Sequence, residues 1–102
     1  MARPLSLQTL KVLAVLSHNK GSDLYGLEIS EEAGLSAGTL YPILADLESK
    51  GWVTSEWENV DPRVVGRRRR RYYRITAEGA AATSKAATEE IRPLARLLGV
   101  TA

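Results

Sequence analysis

The chain has 102 residues, 44% of them hydrophobic, which suits one compact core and leaves no room for a separate catalytic or sensor domain. With no cysteine it can hold neither a disulfide framework nor a thiolate metal site. The net charge of only +2 hides a strong polarity: residues 1–61 carry nine acids against four bases, giving −5, whereas residues 62–102 carry ten bases against three acids, giving +7. Seven of the ten arginines lie between Arg63 and Arg74, five of them consecutive, on a chain whose other end is acidic. That distribution suits a module of which one face meets phosphate. The longest apolar run, Val12 to Leu16, is far short of a membrane span, and no small-residue cleavage site follows it, so a cytoplasmic protein without signal peptide or membrane partner is expected. Without Phe, the core falls to Leu, Ile, Val and Ala, and so small a core gains from a second subunit.

The first predicted helix runs from Leu5 to about His18, with Pro4 at its start and Leu7, Leu10, Leu13, Ala14 and Leu16 at helical spacing. Turn residues 19–23 follow, and Ser22 or Asp23 caps a short second helix that turns Leu24, Leu27 and Ile29 inward and stops at Gly34. Ser36 caps a third helix, whose stripe of Leu40, Ile43, Leu44 and Leu47 ends at Gly51. Two helices joined by so tight a turn read as a helix-turn-helix. Two antiparallel strands come next: Trp52 to Glu58, with Val53 and Trp57 on one side and Thr54, Glu56 and Glu58 on the other, and Arg71 to Ile75, with Tyr73 and Ile75 on one side. Their connection, residues 59–70, holds Asp61-Pro62, Gly66 and most of the arginines, and reads as a long basic hairpin tip. Thr76 caps a fourth helix whose Ala80, Ala87, Ile91, Leu94 and Leu98 form a heptad-like stripe that needs a partner. Pro93 should bend or restart it near Arg92, and Gly99 stops it.

This order predicts a mainly α fold with a two-stranded β-hairpin wing: a winged helix-turn-helix over residues 1–76 plus a C-terminal dimerisation helix, 77–102, in the same unit. A DNA major groove about 12 Å wide accepts one helix, so the third must offer a face free of bulk. At about 100° per residue, the face opposite the Leu40 stripe carries Gly38, Thr39, Pro42, Ala45, Asp46 and Ser49, with Tyr41 on the flank. Phosphates would repel Asp46 and Glu48, so the first two turns, Ser36 to Pro42, are the part predicted to enter the groove. The exposed amides near Ser36, Ala37 and Gly38 favour a phosphate. Pro42 breaks the helix pattern, either to tilt the helix tip or simply to limit fraying. The candidate DNA contacts in the wing are Arg63, Arg67, Arg68, Arg69 and Arg70.

Competing readings are weaker. Trp52 and Trp57 could stack a planar ligand, but at the root of a wing they read as core. Tyr72 and Tyr73 beside arginines suggest RNA, yet strand alternation puts them on opposite faces. His18 has no companion for a metal site, and Glu28, Glu31 and Glu32 read as a solvated face. No nucleophile, base and oxyanion donor stand in a recognisable spacing, so an enzyme is the weakest class. The main rival is a winged-helix module for RNA or protein contact.

Residues 36–48, Ser-Ala-Gly-Thr-Leu-Tyr-Pro-Ile-Leu-Ala-Asp-Leu-Glu, resemble the recognition helix of the PadR-like bacterial transcriptional regulators. Gly51 to Trp57 and Arg71 to Gly79 look like that family's wing strands and the start of its last helix. The resemblance spans about residues 5–98. It implies a homodimer that represses promoters by binding pseudo-palindromic double-stranded DNA, with the last helix and the first forming the dimer contact. It also implies DNA-facing roles for Ser36, Gly38, Thr39, Tyr41, Pro42 and the wing arginines, and no cofactor. Tyr25-Gly26-Leu27-Glu28-Ile29 stands where the family commonly has His-Gly-Tyr-Glu-Ile, and Tyr25 joins the candidate contacts. The C-terminal part lacks the aromatics with which some relatives line a drug-binding pore, so a small-molecule inducer is implied less strongly than repression.

Overall fold

The computed structural model describes residues 5–99. Its first helix, α1 (Leu7–His18), begins where Ser6 accepts a hydrogen bond from the Thr9 amide at 3.1 Å; Pro4, the expected start, lies outside the described residues. α1 buries Val12, Leu13 and Leu16. Leu7, expected inside, is 67% exposed, because nine residues at about 100° each set it opposite Leu16.

The chain then departs from the sequence reading. Leu24 and Tyr25 do not belong to the second helix but form a short strand, β1 (Leu24–Tyr25), which buries Leu24. Neither Ser22 nor Asp23 caps a helix. Helix α2 (Gly26–Ala33) starts instead after an extended Tyr25, whose amide donates to the Glu28 carboxylate at 3.1 Å. Leu27 is accordingly exposed, and Ile29 and Ala33 face the core.

Gly34, in the left-handed conformation at φ 67°, turns the chain into α3 (Ala37–Ser49). The turn is held by the Leu35 amide on the Ser30 carbonyl at 3.1 Å and by the Ser30 hydroxyl, which donates to the Leu35 carbonyl. α3 continues through Pro42 and buries Leu40, Leu44 and Leu47, with Ile43 half-buried beside them.

Strands β2 (Val53–Trp57) and β3 (Arg71–Ile75) form the wing hairpin, in register from Val53 opposite Ile75 to Trp57 opposite Arg71. β1 pairs with the other edge of β3, so the sheet has three antiparallel strands, in the order β1-β3-β2, rather than the expected two. Val53, Tyr73 and Ile75 are buried, but Trp57, read as core, is 59% exposed. It shares a face with Val53, yet lies four residues, about 13 Å, further out along the strand, beyond the reach of the core. The loop between the strands contains a short helix, α4 (Pro62–Val65), capped by Asp61 and closed by Gly66.

Thr76 caps α5 (Ala77–Ala86), and its hydroxyl also donates to the Gly51 carbonyl at 2.7 Å. A Cβ on Gly79 would lie 2.2 Å from the Trp52 carbonyl oxygen, so this glycine lets α5 press directly on the wing root. The helix then widens into a π turn (Ala87–Ile91) before α6 (Arg92–Leu97). Pro93 cannot offer the amide that an α-helix would bond to the Glu89 carbonyl, and the wider turn takes up that break without reversing the chain. Gly99, at φ 74°, follows the end of α6.

The core joins α1, α2, α3 and the sheet around Leu13, Leu16, Ile29, Leu40, Leu44 and Leu47. Each such side chain contributes on the order of 1.5–3 kcal/mol by leaving water. Ala80, the first residue of the predicted dimer stripe, packs against the chain's own core, and Ala87 is half-buried. Ile91, Leu94 and Leu98 of that stripe remain exposed, with Leu97, which was not part of it, exposed beside them. No helix among the described residues is long and apolar enough to cross a membrane.

Candidate nucleic-acid interface

Three first-turn caps behave differently. Ser6 and Thr76 fold back to accept from amides of their helices, but Ser36 does not; its hydroxyl turns toward the Thr39 hydroxyl at 3.3 Å. The start of α3 thus lacks a side-chain cap and carries no acid in its first turn. Ser36, Ala37, Gly38, Tyr41 and Pro42 are exposed, and a Cβ on Gly38 would meet open space. The acids of the C-terminal half are turned to other work. Asp46 pairs with Lys50 at 3.1 Å; Glu48 accepts from the Ser55 hydroxyl and lies 3.6 Å from the Arg71 guanidinium.

Tyr41 leans across to the first residue of α2. Its hydroxyl occupies the place where a side chain on Gly26 would begin, so that a Cβ there would come within 2.2 Å. Beside this contact opens a groove lined by Tyr25, Gly26, Tyr41, Trp57 and Arg68 to Arg71. Tyr41 and the basic wing therefore face one concavity, whereas Ser36 to Thr39 and Pro42 do not line it.

The wing arginines are not equivalent. Arg67 grips Glu58 with both amino groups, at 2.7 and 3.0 Å, and the same carboxylate accepts from the Arg70 amide at 3.3 Å and the Tyr72 hydroxyl at 3.4 Å. The Arg67 hydrogen bond, opposed by desolvation, pulls the Glu58 carboxyl from 4.5 down to about 2, and raises Arg67 above its ordinary value in return. Arg67, predicted as a DNA contact, is thus occupied in bracing the wing. Arg74 is paired with Asp23 at 3.0 Å, and Arg63, largely solvated, lies 3.5 Å from Asp61. Arg71 stacks 5.1 Å from the Trp57 ring, and Arg70 sits 4.3 Å above the Tyr25 ring, which meets Tyr72 edge-on at 5.9 Å. The Arg69 guanidinium donates to the Val60 carbonyl at 2.9 Å. Among the described residues, Arg68, Arg69 and Arg70 have no carboxylate partner.

Burial raises the Tyr73 phenol. Glu58, Trp57 and Gly26 were not among the predicted site residues. The readable signal for Glu58 was its register: one step beyond Trp57 opposite Arg71, it stands across from the arginine run.

A family model for the transcriptional regulator PadR-like family matches residues 12–85, a span that takes in α2, α3, the whole wing and most of α5. The chain belongs to that family. PadR-like proteins are transcriptional regulators, not enzymes, and this one has their winged helix-turn-helix. It is 38% identical over 90 residues to a transcriptional regulator of Mycobacterium tuberculosis, Rv3488, covering 83% of this chain and 76% of that one. A PadR family transcription regulator from Clostridium difficile superposes with a TM-score of 0.71 at 25% identity, covering 91% of this chain and 98% of its own. One from Eggerthella lenta gives 0.67 at 31% identity, covering 86% and 77%. The structural agreement thus reaches beyond the matched residues into the last helix.

Proposed function

We propose that this PadR-like regulator is a homodimeric repressor that binds a pseudo-palindromic operator, with the first two turns of α3 in the major groove and the wing on the backbone or in the minor groove. The observation that carries this reading is the shared groove: Tyr41 of the helix and Arg68 to Arg71 of the wing line one concavity. Helix tip and wing can then approach one duplex from the same side. The uncapped α3 terminus supplies amides and a positive dipole end for a phosphate. The bare backbone at Gly38 lets that phosphate come close. Exposed Ile91, Leu94, Leu97 and Leu98 form the stripe that a second copy covers, which brings two α3 helices to two half-sites.

A mobility-shift assay on the duplex upstream of the protein's own gene tests this. Thr39→Ala and Tyr41→Ala should weaken that complex about tenfold or more while leaving random duplex nearly unaffected. Equal losses on both would remove the base-reading role. Tight binding to single-stranded RNA with no duplex preference would favour the RNA-binding alternative.

A further inference from the structure

Both halves of the proposed DNA surface rest on the same two residues, Tyr25 and Gly26, at the junction of β1 and α2. We infer that this dipeptide is a positioning platform that fixes the wing and the recognition helix relative to each other before DNA arrives. The inference rests on the functional reading above and concerns residues that act through others.

Tyr25 serves the wing. Strand pairing sets it opposite Tyr72, and its own amide is tied to Glu28, so its backbone is fixed on both sides. The Tyr72 ring meets its edge, and the Arg70 guanidinium lies over its face at 4.3 Å. Arg70 has no carboxylate among the described residues, so this face is what directs its charge. An ion pair would direct it too, but would cancel the charge that phosphate requires; a ring face orients the guanidinium and leaves its charge in place. Arginines flanking it show the other solution, Arg67 on Glu58 and Arg71 near Glu48.

Gly26 serves the helix. It is buried, and the absent side chain is replaced by the Tyr41 hydroxyl. The phenol therefore leans back on α2, and its half-exposed ring presents a fixed edge to the groove. The atoms nearest to a Cβ on Gly26 are all at the far end of the Tyr41 side chain, so Gly26→Ala should displace that ring from its seat. Gly79 differs, because a Cβ there meets the Trp52 carbonyl in the main chain.

The test is a pair of double-mutant cycles on operator and random duplex, with melting curves as fold controls. Gly26→Ala should weaken operator binding about tenfold, approaching the loss in Tyr41→Ala, and should add nothing once Tyr41 is alanine. Tyr25→Leu should weaken it by roughly tenfold over two subunits, Tyr25→Phe should restore it, and Arg70→Gln should abolish the difference between them. Full-sized losses from the Gly26 or Tyr25 changes in the backgrounds lacking Tyr41 or Arg70 overturn the platform. A DNA-free readout separates this from failure of the functional reading. In the free protein, the Arg70 δ protons should be shifted upfield by the Tyr25 ring, retained in Tyr25→Phe and lost in Tyr25→Leu. Unshifted δ protons in the unmodified protein overturn the clamp even if the operator is bound. Upfield shifts in a protein that does not discriminate operator from random duplex sustain the clamp and refute the repressor.

Discussion

Salt dependence of operator binding measures how many wing arginines reach phosphate. Of the seven wing arginines, three have no carboxylate partner among the described residues, Arg68, Arg69 and Arg70, whereas Arg63, Arg67, Arg71 and Arg74 each lie within ion-pairing distance of one. A dimer then neutralises about six phosphates, and the slope of log K against log salt is about −5.4, a loss of about two-thousandfold between 50 and 200 mM. Were all seven cations available, the slope would be about −12.6 and the loss above ten-millionfold, so the two accounts differ by about four orders of magnitude. Fluorescence anisotropy on a labelled operator across that range resolves them. Arg68→Gln removes two free cations per dimer and should flatten the slope to about −3.6, on random duplex as well. Arg67→Gln should weaken binding by loosening the wing without flattening the slope, since its charge is already cancelled. A native slope steeper than about −9, or equal flattening by both variants, would refute this apportionment.

Glu58 gives a pH prediction. Its carboxyl is depressed to about 2, so the stability it contributes is fully present above its unfolded value near 4.5 and is lost as pH falls through about 2. The acid limb of a melting profile in that window should therefore flatten in Glu58→Gln, and an unchanged limb would show that the Arg67 grip contributes nothing to folding. Gly79→Ala forces α5 away from the Trp52 carbonyl and should cost roughly 1–3 kcal/mol in chemical denaturation; a neutral effect would mean that the helix shifts freely. Leu94→Asp places a charge in the exposed stripe and should halve the mass measured by light scattering, while an unchanged mass would exclude α6 from the interface.

Where sequence reading succeeded, one local rule and one tertiary demand agreed. The turn at Gly34 and the stripe on α3 were legible because a left-handed glycine and helical spacing coincide there, although Ser36, expected to cap α3, stands at its start without a side-chain bond to the helix amides. Leu24 and Tyr25 were misread as helix because what makes them a strand is β3, about fifty residues away, and no local signal announces that pairing. Trp57 was misplaced for a related reason: alternation reports which face a residue occupies, not whether the core extends beneath it. The arginine run showed charge but not its distribution, because a guanidinium that braces and one that is free look identical in sequence. Only the folded loop that brings Arg67 back onto Glu58 separates them.

This division of labour bears on how the wing keeps its aim at physiological salt. The same screening that weakens phosphate contacts also weakens solvated braces, such as Arg74 with Asp23 or Arg63 with Asp61. A wing aimed by those pairs alone would lose its direction as it lost its partner, and binding would fall more steeply than the free cations account for. Two supports are less exposed to salt. Glu58 holds Arg67, the Arg70 amide and Tyr72 through hydrogen bonds, and β3 is fixed by backbone pairing on both sides. Hydrogen-bonded and strand-paired supports therefore keep the hairpin in place while counterions compete for Arg68 to Arg70. That separation is why the slope should count free cations and stay linear, and curvature above 200 mM in the native protein alone would mean that wing orientation is salt-held after all.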